Sequence, residues 1–335
     1  MTSSPSQTVS ASQNVSILVV IVNYRTPDMV LHCLKSLQEE RKSYPKLRVA
    51  VADNDSGDGS AEHMQKGVEE AGWQDWATIV AHGKNIGFGA GNNLLLREDL
   101  ASENPADYYL ILNPDTEVCP GVFENLLGFF EQHPEASILG PRTESAPGEV
   151  EISAFRFPGL ASDLRGGLRF GFVDRLLAKK IVAPPVRNEA HQSDWISGGC
   201  MFVRRNVLDT AGLFDETFFL YFEEIDLCRR AAQHGFQSWY VPEAKIMHWA
   251  GASTGINSDD GPSKRMPGWW FASRRHYLQN YHGPLYVLAC DLAYISGRCL
   301  WQLRAWITRR KPTDPPHFLW DFVRFNLLGQ RWDRT

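Results

Sequence analysis

The sequence predicts an α/β fold: a mostly parallel sheet flanked by helices, with a helical extension at the C-terminus that associates with a membrane. Three observations carry that prediction. From Ser16 onward, short apolar, β-branched runs alternate with amphipathic stretches, as in parallel-sheet domains. Each run opens into a polar loop containing Gly, Asn or Asp. The chain of 335 residues is 43% apolar and 22% charged with a net charge of −5, which suits a folded protein with a large core. A mildly acidic total argues against a nucleic-acid partner. The six cysteines are dispersed without a CxxC pair, so they suggest neither a zinc ribbon nor a disulfide framework, and a reducing cytoplasm is the expected setting.

Residues 1–15 are rich in Ser, Thr and Gln and contain no Lys or Arg, so a disordered lead-in is expected rather than a secretory signal. Residues 17–22 form an uninterrupted apolar run, the mark of a strand buried on both faces. After Pro27, the positions of Val30, Leu34 and Leu37 fall on one helical face. Residues 47–52, 77–81 and 108–112 supply three more strands. The loops at 53–60, 82–93 and 113–117 follow their strands, and in open α/β sheets ligands lie outside the strands' carboxyl ends. Three such loops predict one site. Residues 141–193, punctuated by Pro141, Pro147, Pro158, Pro184 and Pro185, are expected to form a loop-rich excursion before the pattern resumes at 195–203 and in a helix near 222–234.

The segment Asp53-Asn-Asp-Ser-Gly-Asp-Gly-Ser60 alternates acids before a glycine but fails the EF-hand spacing, having Gly57, Asp58 and Met64 at the decisive positions. A carboxylate at a strand end can instead accept the ring N–H of uracil, thymine or guanine. A turn with a helix capped near Asp58 or Ser60 explains the same residues without a ligand. Gly87-Phe-Gly-Ala-Gly91 departs from the dinucleotide fingerprint at Asn92, though exposed N–H groups there suit phosphate or sugar oxygens. Asn113-Pro-Asp115 closes the fourth strand, where a carboxylate suits Mg²⁺ or Mn²⁺ as well as a plain turn. Glu223, Glu224 and Asp226 open a helix whose dipole alone would favour acids. Glu223 and Asp226 share a face, with Glu224 turned away by about 100°. Gly198-Gly199 would allow close backbone approach, with Asp194 and Trp195 as a candidate acceptor platform, although a tight strand entry accounts for them equally.

Taken in order, Val22-Asn-Tyr24, the Asp53 segment, Asn85-Ile-Gly-Phe-Gly-Ala-Gly-Asn92, Asn113-Pro-Asp115, Ser197-Gly-Gly-Cys-Met-Phe-Val-Arg-Arg205, Gly212-Leu-Phe-Asp-Glu216, Glu223-Glu-Ile-Asp226 and His248-Trp-Ala-Gly-Ala-Ser-Thr254 resemble the inverting glycosyltransferase family 2, near its bacterial rhamnosyltransferase-like branch. The resemblance spans roughly residues 16–255 and implies a GT-A fold, with a nucleotide-sugar half at 16–140 and an acceptor half at 141–260. It implies transfer with inversion from a dTDP- or UDP-sugar, dTDP-rhamnose first, to a polysaccharide or lipid-linked glycan. Donor-binding positions are then Asn23, Asp53, Asn85, Gly87, Asn92, Asn113 and Asp115. Asp115 and His248 would hold Mg²⁺ or Mn²⁺, and Glu224 would be the general base. This chain departs from the family pattern twice, with Glu224 where Asp is commoner and Asn113 where many relatives begin a DxD. A catalytically silent glycan-binding protein is the alternative those departures suggest, and a nicotinamide enzyme is disfavoured by Asn92.

Residues 261–335 form a distinct tail. Between 264 and 311 there are nine Lys or Arg (Lys264, Arg265, Arg274, Arg275, Arg298, Arg304, Arg309, Arg310, Lys311) against the single acid Asp291. On a helical wheel Asp291, Arg298, Gln302 and Arg309 lie within about 20° of one line, and Tyr286, Leu292, Leu300, Trp301, Leu303, Trp306 and Ile307 fill much of the remaining arc. Such a helix packs on its own domain or lies in a membrane interface. Peripheral attachment to the anionic inner face of the cell membrane is the expectation.

Overall fold

The computed structural model describes residues 14–249, 265–309 and 314–331. Residues 1–13 of the lead-in, the part of the His248 motif from residue 250 on, and Lys264, Arg310 and Lys311 lie outside the described residues. The first half runs β1 (Ile17–Asn23), α1 (Pro27–Arg41), β2 (Leu47–Asn54), α2 (Ser60–Glu70), β3 (Ala77–His82), α3 (Phe88–Leu100), β4 (Tyr108–Leu112), β5 (Thr116–Val118) and α4 (Val122–Gln132). Then follow β6 (Ala136–Ala146), β7 (Glu149–Glu151), β8 (Ala154–Phe155), α5 (Leu160–Leu168), α6 (Gly171–Leu176), β9 (His191–Ser193), β10 (Trp195–Ile196), β11 (Cys200–Arg204), α7 (Arg205–Ala211), α8 (Glu223–Gln233) and β12 (Gln237–His248). Three helices close the chain: α9 (Gly268–His282), α10 (Pro284–Ile307) and α11 (Phe318–Asn326).

The main sheet has the order β3-β2-β1-β4-β11-β6-β12-β5, with β7 beside β6 and β9 beside β12. β3, β2, β1 and β4 are mutually parallel, as the apolar runs predict. β1 shows why: it is buried along its whole length, with Ile17, Val19 and Ile21 in the core on one face and Leu18 and Val20 in the core on the other. Helices α1, α2 and α4 cover the first face through Leu34, Met64 and Phe123, while α3 and α8 cover the second through Leu96 and Leu227. The antiparallel strand β11 joins β4 to β6 and thereby couples the nucleotide-type half to the remainder.

The region 141–193 is more ordered than its prolines suggest. β6 continues through Pro141, where the β6–β12 ladder shifts register, to Ala146 and turns at Gly148 into β7, and α5 then lies against α10. The tail helix α10 packs on its own domain through part of its polar line. Asp291 and Arg298 point inward at 1% and 0% exposure and Gln302 and Arg309 stay exposed, while Leu285 is 82% and Trp306 79% exposed. Trp301, placed on the apolar arc, is buried and lies beneath the Arg298 guanidinium at 4.3 Å. Asp291 accepts from Arg274 at 2.7 Å, Arg274 donates to Asp163 of α5 at 2.9 Å, and Arg298 pairs with Asp314. Arg265 pairs with Asp321 and Arg275 bonds the Asn326 carbonyl, so much of the basic excess is used internally and is no free cationic patch. Among the described residues no helix is long and apolar enough to cross a membrane.

Helices α5 and α10 meet at glycine. A methyl at Gly297 would come within 2.8 Å of the Leu168 amide nitrogen, and one at Gly167 within 2.6 Å of the Tyr294 carbonyl oxygen. Gly297→Val should therefore force the helices apart and destabilise the protein by about 1–3 kcal/mol. Gly128→Ala, at a helical position with open space around it, should leave stability equal or slightly higher. Urea midpoints of the two variants against wild type check the expectation, and an unchanged Gly297→Val midpoint would contradict it.

Candidate active site

The parallel strands deliver their polar residues to one edge. Asn23 ends β1, and its Nδ2 donates to Asp53 Oδ1 at the end of β2 at 2.7 Å. Ser56 adds two bonds to Asp53, from Oγ to Oδ1 at 2.6 Å and from its backbone N–H to Oδ2 at 3.1 Å. Asp53 is thus buried and already holds three hydrogen bonds, and one lone pair of Oδ2 is left over. The Asn23 side-chain oxygen Oδ1 accepts from the Thr26 backbone N–H and hydroxyl, tying the same cluster to the start of α1. Asp58 accepts from the Ser60 N–H and hydroxyl in a turn just ahead of α2, whose N-cap is Gly59, and these bonds hold its carboxyl below the usual range.

A second network surrounds Gly87. Asn54 donates to Asn85 Oδ1 at 3.0 Å and to the Gly87 carbonyl at 3.1 Å, and accepts from the Ile86 N–H. Gly87 has φ +88°, and a Cβ there would fall 2.1 Å from the Phe219 carbonyl oxygen, so only glycine fits. Asn92 is fully buried with its Nδ2 on the Phe88 carbonyl and its Oδ1 without a partner, one turn beneath the α3 N-terminus.

The loop between β10 and β11 links two further groups. A methyl at Gly198 would lie 3.7 Å from Glu224 Cβ, and one at Gly199 would lie 3.6 Å from the Asn113 amide nitrogen and 3.9 Å from His248 Cε1. Asn113 donates its backbone N–H to the Gly199 carbonyl at 2.9 Å. Beside it, His248 Nε2 lies 3.4 Å from Asp115 Oδ1, and the Asn113 side-chain amide donates to that same Nε2 at 3.5 Å. Asp115 Oδ1 is buried and has no hydrogen-bond partner. Burial pulls the His248 ring down, but Asp115 and Glu151 outweigh it and hold its pKa above the ordinary value.

Glu224 is the second residue of α8, which starts after two bulky residues in the left-handed region, Tyr221 at φ 63° and Phe222 at φ 73°. Such a conformation costs energy and persists only where surrounding packing imposes it. Here Phe222 is wedged against Trp270 and Tyr277, and Tyr221 against Trp269. Oε2 of Glu223 and of Glu224 are both buried without partners. Burial pushes the Glu224 carboxyl up to about 7 against the opposing backbone N–H groups of the helix start. Burial, then the neighbouring charge of Glu224, raises Glu223 well above the carboxylate range. Asp226 is engaged elsewhere, with Arg230 at 2.7 Å and the Tyr281 hydroxyl at 2.7 Å.

The structure thus brings Glu224, Gly198, Gly199, Asn113, Asp115 and His248 together, and groups Asn23 with Asp53 and Asn85 with Gly87. Asp194 and Trp195 are placed differently. The Trp195 ring is 7% exposed, stacks on Phe155 at 4.2 Å and donates to the Arg156 carbonyl, while Asp194 accepts the Phe157 N–H, so the indole face is spent on the core. Sequence reasoning missed Asn54 and Ser56, which lie inside the quoted Asp53 segment and fix its shape. It also missed Glu151, which no local pattern marks.

The chain is similar to known glycosyltransferases in sequence and in fold. An N-acetylglucosaminyl-diphospho-decaprenol L-rhamnosyltransferase of Mycobacterium tuberculosis is 29% identical over 255 residues, covering 70% of this chain and 80% of the relative. The rhamnosyltransferase WbbL of Escherichia coli is 25% identical over 237 residues, covering 70% and 83%. In fold the chain is similar to the mannosyltransferase PcManGT of Pyrobaculum calidifontis, solved with GDP-Man and Mn²⁺, at TM-score 0.53 and 14% identity, covering 94% of this chain and 79% of that one. It is likewise similar to TarS of S. aureus, solved with UDP, at TM-score 0.51 and 13% identity, covering 88% and 72%. These neighbours are GT-A glycosyltransferases, and the sheet described above has that architecture. Residues 13–269 match the family model for glycosyltransferase like family 2, and a match over most of its length makes this chain a family 2 glycosyltransferase.

Proposed function

We propose that the protein transfers L-rhamnose from dTDP-rhamnose, with inversion, to a hydroxyl of a lipid-linked glycan, and that Glu224 is the base that deprotonates that hydroxyl. The observation that carries the reading is the juxtaposition of Glu224 and the Asp115–His248 pair on either side of the two-glycine loop. A transfer of this kind needs a base at the acceptor and charge neutralisation at the leaving diphosphate, and the cleft supplies a group for each. A carboxyl near pKa 7 is well matched to a base working at neutral pH. The choice of sugar and acceptor rests on the two rhamnosyltransferase relatives.

Asn23, Asp53 and Asn85 would receive the nucleotide, with the remaining lone pair of Asp53 Oδ2 as acceptor for a thymine or uracil N3–H. A divalent cation, Mg²⁺ or Mn²⁺, fits the Asp115–His248 pair. His248 Nε2 and Asp115 Oδ1 lie 3.4 Å apart, and the Asp115 oxygen is otherwise an orphan in a buried position. Such an ion supplies electrostatic stabilisation of the leaving diphosphate. Among the described residues no three His, Cys, Asp or Glu side chains are placed to hold a metal by themselves, so donor oxygens would complete the shell. Asn113 contributes no charge, and its amide orients His248 instead.

The acceptor lipid places the protein at the inner face of the cell membrane. The surface offered to it is the outer side of α10, where Leu300, Leu303, Trp306 and Ile307 are exposed. Arg304 lies over the Phe170 ring at 5.1 Å and bonds the Arg169 carbonyl, which joins that face to exposed Phe172 and Leu176 and to the neighbouring cations Arg175, Lys179 and Lys180. An aromatic and aliphatic face rimmed by Lys and Arg suits anionic headgroups.

Glu224→Gln should leave dTDP binding intact and lower transfer of rhamnose to a lipid-linked acceptor analogue by about 10²–10⁴-fold, with Glu223→Gln doing less. Wild-type kcat/KM should fall as pH drops below about 7, as the base becomes protonated. The stability consequence has the opposite sign. Ionising a carboxyl whose folded pKa is raised costs the native state, so wild type should lose stability as pH rises through about 7. Glu224→Gln should not share that loss, and the two melting curves should converge near pH 4, where the carboxyl is protonated in both folded and unfolded chains. Equal activity of Glu224→Gln and wild type would end the assignment of the base.

Sedimentation with vesicles tests the surface. Binding to anionic vesicles should exceed binding to neutral ones and weaken with salt. The triple variant Leu300→Gln, Leu303→Gln, Trp306→Gln should release the protein while keeping its melting temperature and its turnover of a water-soluble acceptor. A folded wild type that ignores anionic vesicles would overturn the membrane reading.

A further inference from the structure

His248 has a partner that none of the sequence motifs contains. Its Nδ1 lies 3.3 Å from Glu151 Oε2, on the side of the ring opposite Asp115. The hairpin of β6 and β7 delivers that carboxylate. Glu151 is in register with Thr143 of β6, and Thr143 is in register with Ile246 of β12, two residues before His248 and on the same face of the sheet. The carboxylate therefore reaches the ring across one intervening strand.

The hydrogen-bond chemistry at the two ring nitrogens is mutually consistent. A carboxylate can only accept, so the Glu151 contact requires a proton on Nδ1. The Asn113 side-chain nitrogen can only donate, so its approach to Nε2 requires a lone pair there. Asp115 Oδ1 lies 3.4 Å from the same Nε2 and has no hydrogen-bond partner of its own. We propose that Glu151 is a positioning residue that accepts the Nδ1–H of His248, fixes that tautomer and keeps the Nε2 lone pair turned toward Asp115. Histidines that bind metal through one nitrogen usually donate the other N–H to a carboxylate or carbonyl, and removing that partner typically costs metal affinity about 10- to 100-fold. The consequence for metal binding rests on the cation reading given above. The tautomer does not.

Two measurements on the same variants separate these levels. In histidine-¹⁵N-labelled full-length protein without metal, at a pH where the ring is neutral, long-range proton–nitrogen spectra should show His248 protonated at Nδ1, the resonance being assigned by its loss in His248→Gln. Glu151→Gln, whose amide oxygen still accepts, should keep that tautomer, and Glu151→Ala should shift it toward Nε2–H. A wild-type Nε2–H tautomer, or one unchanged in Glu151→Ala, overturns the proposal. Electron paramagnetic resonance of free Mn²⁺ in the presence of dTDP should then show Mn²⁺ affinity falling about 10- to 100-fold in Glu151→Ala and much less in Glu151→Gln. Equal losses in the two variants overturn it in favour of a direct charge or ligand role. The expected tautomers with no Mn²⁺ binding in wild type support the role of Glu151 and sink the cation reading alone.

Discussion

The antiparallel pairing of β11 with β4 is the constraint on which the cleft depends. Four parallel strands end at one edge, but their polar residues alone amount to a nucleotide-type shelf. Pairing Cys200 with Leu112 and closing the ladder with the Asn113 N–H on the Gly199 carbonyl brings the two-glycine loop against the end of β4. Because β11 also pairs with β6, and β6 with β12, the same sheet fixes the height at which His248 emerges. The α8 N-terminus then has one place to go, over Gly198, where any larger side chain would approach Phe88 and Glu224. The Asp115–His248 pair and Glu224 therefore share a rigid frame, although Asp115 precedes both Glu224 and His248 by more than a hundred residues in sequence.

That frame leaves two carboxyls, Glu223 and Glu224, away from water with an oxygen each unpaired. Burying an unpaired carboxylate is expensive, and the native state responds by raising the pKa of both groups. The helix start partly compensates, since its free N–H groups favour negative charge. The two left-handed residues before it, Tyr221 and Phe222, are a second local cost, held by the Trp269, Trp270 and Tyr277 rings. Local strain and unpaired acids at one point are hard to justify by stability, and they coincide with the proposed base.

What the sequence could disclose followed the range of the interactions involved. The four parallel strands were legible because burial on both faces leaves continuous apolar runs, and each observed strand differs from expectation only by continuing into its polar loop or not at all, as β1 does to Asn23 and β2 to Asn54. Gly87 was legible as a motif, but its reason, the Phe219 carbonyl 2.1 Å from an added Cβ, belongs to a contact 132 positions away. Glu151 was not legible, because a short edge strand of Glu-Val-Glu has no periodicity, and its meaning comes only from a register across β6. Trp195 illustrates the opposite failure. Its neighbours suggested a ligand platform, yet an indole beside Phe155 and a free carbonyl gains more from the core.

The tail helix shows how a wheel can be right about its faces and silent about their direction. A polar line on an otherwise apolar helix is ordinarily its wet side, but on α10 Asp291 and Arg298 are buried. Ion pairs taken out of water repay their desolvation only with good geometry, so Arg274 held between Asp291 and Asp163 is weak evidence for stability and better evidence for register. It admits one rotation of α10, and the glycine contact with α5 admits one depth. With Asp291 and Arg298 committed inward, the leucines and Trp306 have no protein to cover them among the described residues, which in water is a standing cost. On the proposed reading that cost is met by the bilayer: hydrocarbon takes the outer face of α10, and the inward ion pairs hold the cleft at a fixed angle to the lipid that carries the acceptor.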